Sequence, residues 1–112
     1  TFLARMNQDY GIVGHGIGID ESTAVCIESN GTSRVFGSGI AFFLSQNGPS
    51  SKPEKCASGT PLDWYRHRQA IIAYKIKGNR YGTGNLDLNA WSKGNGGLWQ
   101  YYYVNRGDLG IS

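Results

Sequence analysis

Two adjacent carboxylates, Asp20 and Glu21, close a run that alternates glycine with apolar residues, Gly14-His15-Gly16-Ile17-Gly18-Ile19. Acidic groups at the C-terminal end of a buried strand stand where open sheets place their chemistry. Successive strand residues point to opposite faces, so the two carboxylates cannot do the same job if the strand continues through them. One faces a site; the other holds the backbone or meets solvent. Taken alone, the pair is more often a turn or a cap.

Other reactive residue types are poorly arranged. No serine sits in a G-x-S-x-G elbow, and Ser38, between Gly37 and Gly39, falls in an expected hairpin turn. His15 reads as an exposed strand-start residue. His67, between Arg66 and Arg68, reads as solvated. Gly14, Gly16 and Gly18 do not form a phosphate-binding G-x-G-x-x-G, and no helix follows them. Cys26 and Cys56 lack metal-ligand spacing, and the pattern offers neither a metal site nor a cofactor site. A disulfide pinning a loop to a sheet and two unrelated thiols both remain open for that pair.

The elements that must position these residues follow from periodicity and turn chemistry. Thr1–Met6 reads as the end of an amphipathic helix, with Phe2, Leu3 and Met6 on one side and Gly11 as its stop. A strand over 15–20, expected to be buried on both faces, leads into the carboxylates. Strands over 23–28 and 33–36 flank Ser29-Asn30-Gly31-Thr32, where Asn-Gly supplies the positive φ angles of a tight hairpin. Asn30-Gly31-Thr32 also matches a glycosylation sequon, but the hairpin accounts for it more simply. Gly37-Ser38-Gly39 turns the chain into 40–44, so three strands in an antiparallel meander are expected. Residues 46–62 form a long polar loop without periodicity. Strands over 69–77 and 98–104 follow, separated by Gly/Asn-rich turns and a short extended piece at 86–88.

Seventeen glycines and fourteen aromatics among 112 residues, with 17% charged, describe a turn-rich, strand-dominated chain. One domain at most fits this length. No apolar run approaches the ~20 residues of a membrane-spanning helix. The net charge of +3 is spread out, with Arg66-His67-Arg68 the only tight basic cluster, so nucleic acid and membrane are not expected partners.

The string Gly16-Ile17-Gly18-Ile19-Asp20-Glu21-Ser22-Thr23-Ala24 resembles the cyanophycinase family, serine exopeptidases related to peptidase E. The likeness extends through Arg34–Gly39, Ala41–Leu44, Tyr74–Arg80 and Gly96–Asn105, and is strongest to secreted members. It implies the C-terminal, strand-rich part of a glutamine-amidotransferase-like three-layer α/β/α sandwich with an antiparallel β meander. Residues 1–112 would then be the C-terminal portion of one such domain, with the half bearing the nucleophile absent. It implies hydrolysis of β-aspartyl-arginine bonds by a Ser-His-Glu triad, with Glu21 as the acid that fixes the imidazole tautomer. Asp20 and Thr23 would be supporting residues. The family's histidine, in an Asp-x-His-Phe motif, belongs upstream of Thr1, so this chain alone is expected to be inactive. The implied partner is a peptide or a cyanophycin-like polymer, with homodimerisation open, in a secreted or periplasmic setting.

A second function class stands beside this one. Trp64, Tyr65, Trp91, Trp99 and Tyr101–Tyr103 on a Gly/Asn-rich β scaffold would suit a secreted carbohydrate-binding module, with aromatic faces stacking on sugar rings. Alternation along 99–103 instead buries one face of that strand in the core.

Overall fold

A computed structural model describes residues 2–11, 14–47, 52–57 and 59–111, without the side chains of Phe2 and Ser92. Thr1, the first residue of the expected helix end, lies outside the described residues. The elements are one helix, α1 (Phe2–Tyr10), and nine strands: β1 (His15–Ile19), β2 (Thr23–Ile27), β3 (Ser33–Gly37), β4 (Ile40–Gln46), β5 (Ile71–Lys77), β6 (Asn85–Asp87), β7 (Ala90–Asn95), β8 (Leu98–Asn105) and β9 (Asp108–Ile111). A short turn at Arg66–Arg68 precedes β5. Five strands are hydrogen-bonded in the order β1-β4-β5-β8-β9; β2 pairs with β3, and β6 with β7.

The expected three-layer α/β/α sandwich is not found. The chain is strand-rich, and β2–β3, β6–β7 and β8–β9 are antiparallel pairs. Parallel neighbours need long crossovers, usually helical. Among the described residues α1 is the only α-helix, and tight Gly/Asn turns join most strands. The meander is also corrected: β4 does not extend the β2–β3 hairpin but lies between β1 and β5.

The chain divides into two compact units. The first comprises Thr1–Gly16, Leu44–Ala73 and Gln100–Ser112. Its core gathers Ala4, Trp64, Ala70, Ile71, Ala73, Tyr102 and Val104, with Leu3, Leu44, Cys56 and Leu62 packed around them. Tyr102 and Val104 face inward, as alternation along β8 requires. Trp64 and Val104 exchange both backbone hydrogen bonds, each 2.8 Å long, which adds a rung beside β8. Helix α1 ends where Gly11 adopts φ +67° and its N–H returns to the Asn7 carbonyl at 2.9 Å, a left-handed cap.

The second unit comprises Ile17–Phe43 and Tyr74–Trp99. Val35, Ala41, Phe43, Tyr74, Ile76 and Leu86 form its core, bordered by Val25, Leu88 and Trp91. Buried Ser33 locks β3 to β6: its hydroxyl donates to the Leu86 carbonyl at 2.8 Å and accepts from the Leu86 N–H at 3.2 Å. At the expected Asn-Gly turn, the Asn30 side chain accepts from the Thr32 N–H at 3.0 Å. Strand β1 is not buried on both faces; Ile17 is 42% and Ile19 54% exposed.

Candidate functional site

The carboxylate pair lies just beyond β1, in the turn Asp20–Ser22 that leads to β2. Ser22 takes φ +55°, which closes the turn tightly. Asp20 is engaged there through its backbone N–H and one carboxylate oxygen. Its Oδ2 accepts the Ile40 N–H at 3.0 Å, while its own N–H donates to the Ile40 carbonyl at 3.1 Å. Thr23 secures the other side: its hydroxyl donates to the Glu21 carbonyl and accepts the Gly39 N–H, both at 3.0 Å. The Ser38 N–H reaches the Ser22 carbonyl at 3.2 Å.

Gly39 makes this closeness possible. A Cβ placed on it would lie 2.5 Å from Thr23 Oγ1 and 2.6 Å from Asp20 Cβ, so no larger residue fits without displacing the turn. The segment opposite is anchored in its own right. Lys77 Nζ donates to the Ser38 carbonyl at 2.9 Å, and the Gly78 N–H to the Gly39 carbonyl at 2.9 Å. Every bond thus holds the backbone on either side of Glu21. The Glu21 side chain itself is exposed and accepts no hydrogen bond among the described residues. One carboxylate serves the backbone and its neighbour is free to act as an acceptor or an ionic partner.

The remaining sequence candidates do not join this cluster. Ser38 occupies the bend between Gly37 (φ +112°) and Gly39, without the strand-to-helix elbow a nucleophile needs. His15 is exposed at the start of β1, and His67 is exposed in the turn at Arg66–Arg68. Cys26 and Cys56 are free thiols, the first exposed and the second packed against the core of the first unit. Among the described residues no three His, Cys, Asp or Glu side chains come together to hold a metal ion. A cleft in the first unit, lined by Thr60, Leu62, Val104, Gly107 and Leu109, presents no titratable side chain. Of the aromatics, Trp64 is 1% exposed and Tyr102 is buried, which removes both from any sugar-stacking platform.

Sequence reasoning missed the turn at Arg66–Arg68. All three residues take positive φ, at 44°, 57° and 67°. The turn is held by Glu54, whose carboxylate accepts the N–H groups of Tyr65 (3.0 Å) and Arg66 (2.9 Å). Partial burial pushes the Glu54 carboxyl up, but those two N–H bonds and the Arg66 charge outweigh it and hold the group below its ordinary value. The cluster of basic residues was its only trace in the sequence.

Compared with protein-family models, curated proteins and solved structures, the chain matches none.

Proposed function

We propose that this chain is the acid-bearing segment of a cyanophycinase-like serine exopeptidase, with Glu21 as the third member of a Ser-His-Glu triad. The serine and histidine lie on polypeptide outside these 112 residues, and the chain alone has no hydrolytic activity. The substrate is a β-aspartyl-arginine peptide or polymer, met outside the cytoplasm. Glu21 accepts the imidazole N–H that faces away from the serine. It thereby selects the tautomer able to take the serine proton and stabilises the imidazolium that forms.

The observation that supports this reading is the division of labour between the two carboxylates. Asp20 is bonded to Ile40, Thr23 ties Glu21's own carbonyl, and the Glu21 side chain is left unengaged on a braced backbone. An orienting acid needs that combination, because a misdirected histidine loses most of the triad's rate.

The test uses the full-length protein. Glu21→Gln should lower turnover of β-aspartyl-arginine peptides by about 10⁴-fold with unchanged thermal stability, as for other triads with a misoriented histidine. Asp20→Asn should act on stability first. Near-normal turnover in folded Glu21→Gln protein removes Glu21 from the mechanism, and activity lost only in Asp20→Asn at unchanged stability exchanges the two roles.

A further inference from the structure

The turn at Arg66–Arg68 is conformationally unfavourable, and its surroundings over-determine it. Three consecutive non-glycine residues in the left-handed region are disfavoured by contact of Cβ with the backbone. Such strain persists only where neighbouring structure enforces it, and it concentrates at ligand sites. Tyr65 has φ −97° and ψ −58°, and Arg66 follows with φ +44°. This right-then-left succession points neighbouring N–H groups into one concavity, which the Glu54 carboxylate fills. Arg66 is spent within the turn, its Nε donating to the Lys52 carbonyl and lying 3.8 Å from Glu54. Gln69 closes the far side, its N–H reaching the Tyr65 and Arg66 carbonyls at 3.2 and 3.1 Å.

What the strained turn delivers is Arg68. Its guanidinium lies over the Tyr103 ring, 5.2 Å from the centroid, and donates to the Tyr103 hydroxyl at 3.1 Å. Tyr103 is itself fixed. It stands opposite Gly110 in the β8–β9 register, and a Cβ on Gly110 would clash with the tyrosine ring. Tyr65 packs edge-on against Tyr103 with centroids 5.2 Å apart and is itself 39% exposed. Arg68 is therefore an exposed guanidinium held in one orientation, with its other N–H groups unused among the described residues. Preorganisation of this kind reduces the entropy lost on binding.

A planar guanidinium with free N–H groups matches a carboxylate through two parallel hydrogen bonds. One uncompensated cation beside a partly exposed aromatic ring suits a singly charged ligand with a flat C–H face. We propose that Arg68, set on Tyr103 and flanked by Tyr65, anchors a binding site for a uronic-acid residue of an acidic polysaccharide. The site lies wholly in the first unit and does not depend on the role of Glu21.

The test titrates the intact protein with trigalacturonate and, separately, with its methyl ester, following heat and amide chemical shifts. The acid should bind at least about tenfold more tightly than the ester, since the ester cannot accept the guanidinium fork. Arg68→Gln should abolish that preference, and Arg68→Lys should restore only part of it, because an ammonium lacks the planar fork. Tyr65→Ala should weaken both saccharides. Arg34→Gln, at an exposed position of β3, should change nothing. If Arg68→Gln fails to fold, the acid-to-ester ratio on the unaltered protein still decides. No binding at about 10 mM trigalacturonate, a Kd too weak to matter, overturns the proposal. So does equal loss in Arg34→Gln, which would show unspecific charge attraction. Tighter binding of triglutamate than of trigalacturonate would give the site to a protein partner and overturn the saccharide assignment.

Discussion

Thr23→Val removes one hydroxyl and leaves the side-chain volume nearly unchanged, so it isolates what Thr23 contributes to the carboxylate turn. Two hydrogen bonds disappear, one to the Glu21 carbonyl and one from the Gly39 N–H, both 3.0 Å long. The Glu21 carbonyl is exposed and regains water, so its loss is worth about 0.5 kcal/mol, the low end for a net protein hydrogen bond. The Gly39 N–H is partly buried and would face a methyl group, which costs about 1–1.5 kcal/mol. The sum is about 1.5–2 kcal/mol, reduced by a few tenths because valine favours strands more than threonine does. Amide hydrogen exchange reads this directly: if the turn opens locally, the remaining loss of about 1.2–1.7 kcal/mol should lower protection at Gly39 about 8- to 18-fold. Thr23→Ser restores the hydroxyl and should recover most of that protection, losing only the packing of one methyl. If the proposed role of Glu21 holds, Thr23→Val in the full-length protein should also lower turnover while Thr23→Ser retains it, because the Glu21 backbone is the thing loosened. Unchanged exchange at Gly39 in Thr23→Val, or failure of serine to restore it, would refute the claim that this hydroxyl braces the turn.

Ser33→Ala should destabilise the second unit by about 2–3 kcal/mol in denaturant unfolding, because it orphans both the N–H and the carbonyl of Leu86 in a buried site. The lowered Glu54 carboxyl means that its contribution to holding the Arg66–Arg68 turn is present above its unfolded-state pKa and is lost as pH falls through the lower folded value. Stability measured from neutral to acid pH should therefore drop less steeply in Glu54→Gln than in the unaltered protein, and parallel curves would refute the assignment. Exposed Cys26 should react with an aromatic disulfide reagent in the native protein well before Cys56, which packs against the core of the first unit, and one rapid thiol followed by one slow thiol is the expected count.

Local signals carried some elements and failed on others for physical reasons. The Asn30-Gly31 turn, the Gly11 helix stop and the strand beginning at His15 were legible because each rests on backbone preferences of a few adjacent residues. The partner of β4 was not legible. A short turn normally joins neighbours, but the bonds from Asp20 to Ile40 draw β4 toward β1, and those bonds span about twenty residues of sequence. Nor could the sequence show that Ile17 and Ile19 lie exposed, since burial depends on what covers a strand. The left-handed Arg66–Arg68 turn is the clearest failure. Nothing in three non-glycine residues suggests positive φ, and among the described residues the contacts that hold the turn come from adjacent Gln69 and from Lys52, Glu54 and Tyr103, more distant in sequence.

The two carboxylates are separated by a different device from the strand alternation the sequence suggested. Alternation along a continuing strand was expected to send Asp20 and Glu21 to opposite faces. The strand instead ends at Ile19, and the two residues occupy a turn. What separates them is side-chain length and reach. The short Asp20 carboxylate returns to the Ile40 N–H, a local competition that aspartate favours at turns. The longer Glu21 side chain makes no such bond, and its backbone is instead tied by Thr23 two residues on. The order Asp-Glu-x-Thr thus encodes the bracing as well as the acid. Exchanging the two acids should break the Ile40 bond and leave a shorter carboxylate beside it, so the exchange should damage this turn even though the composition is unchanged.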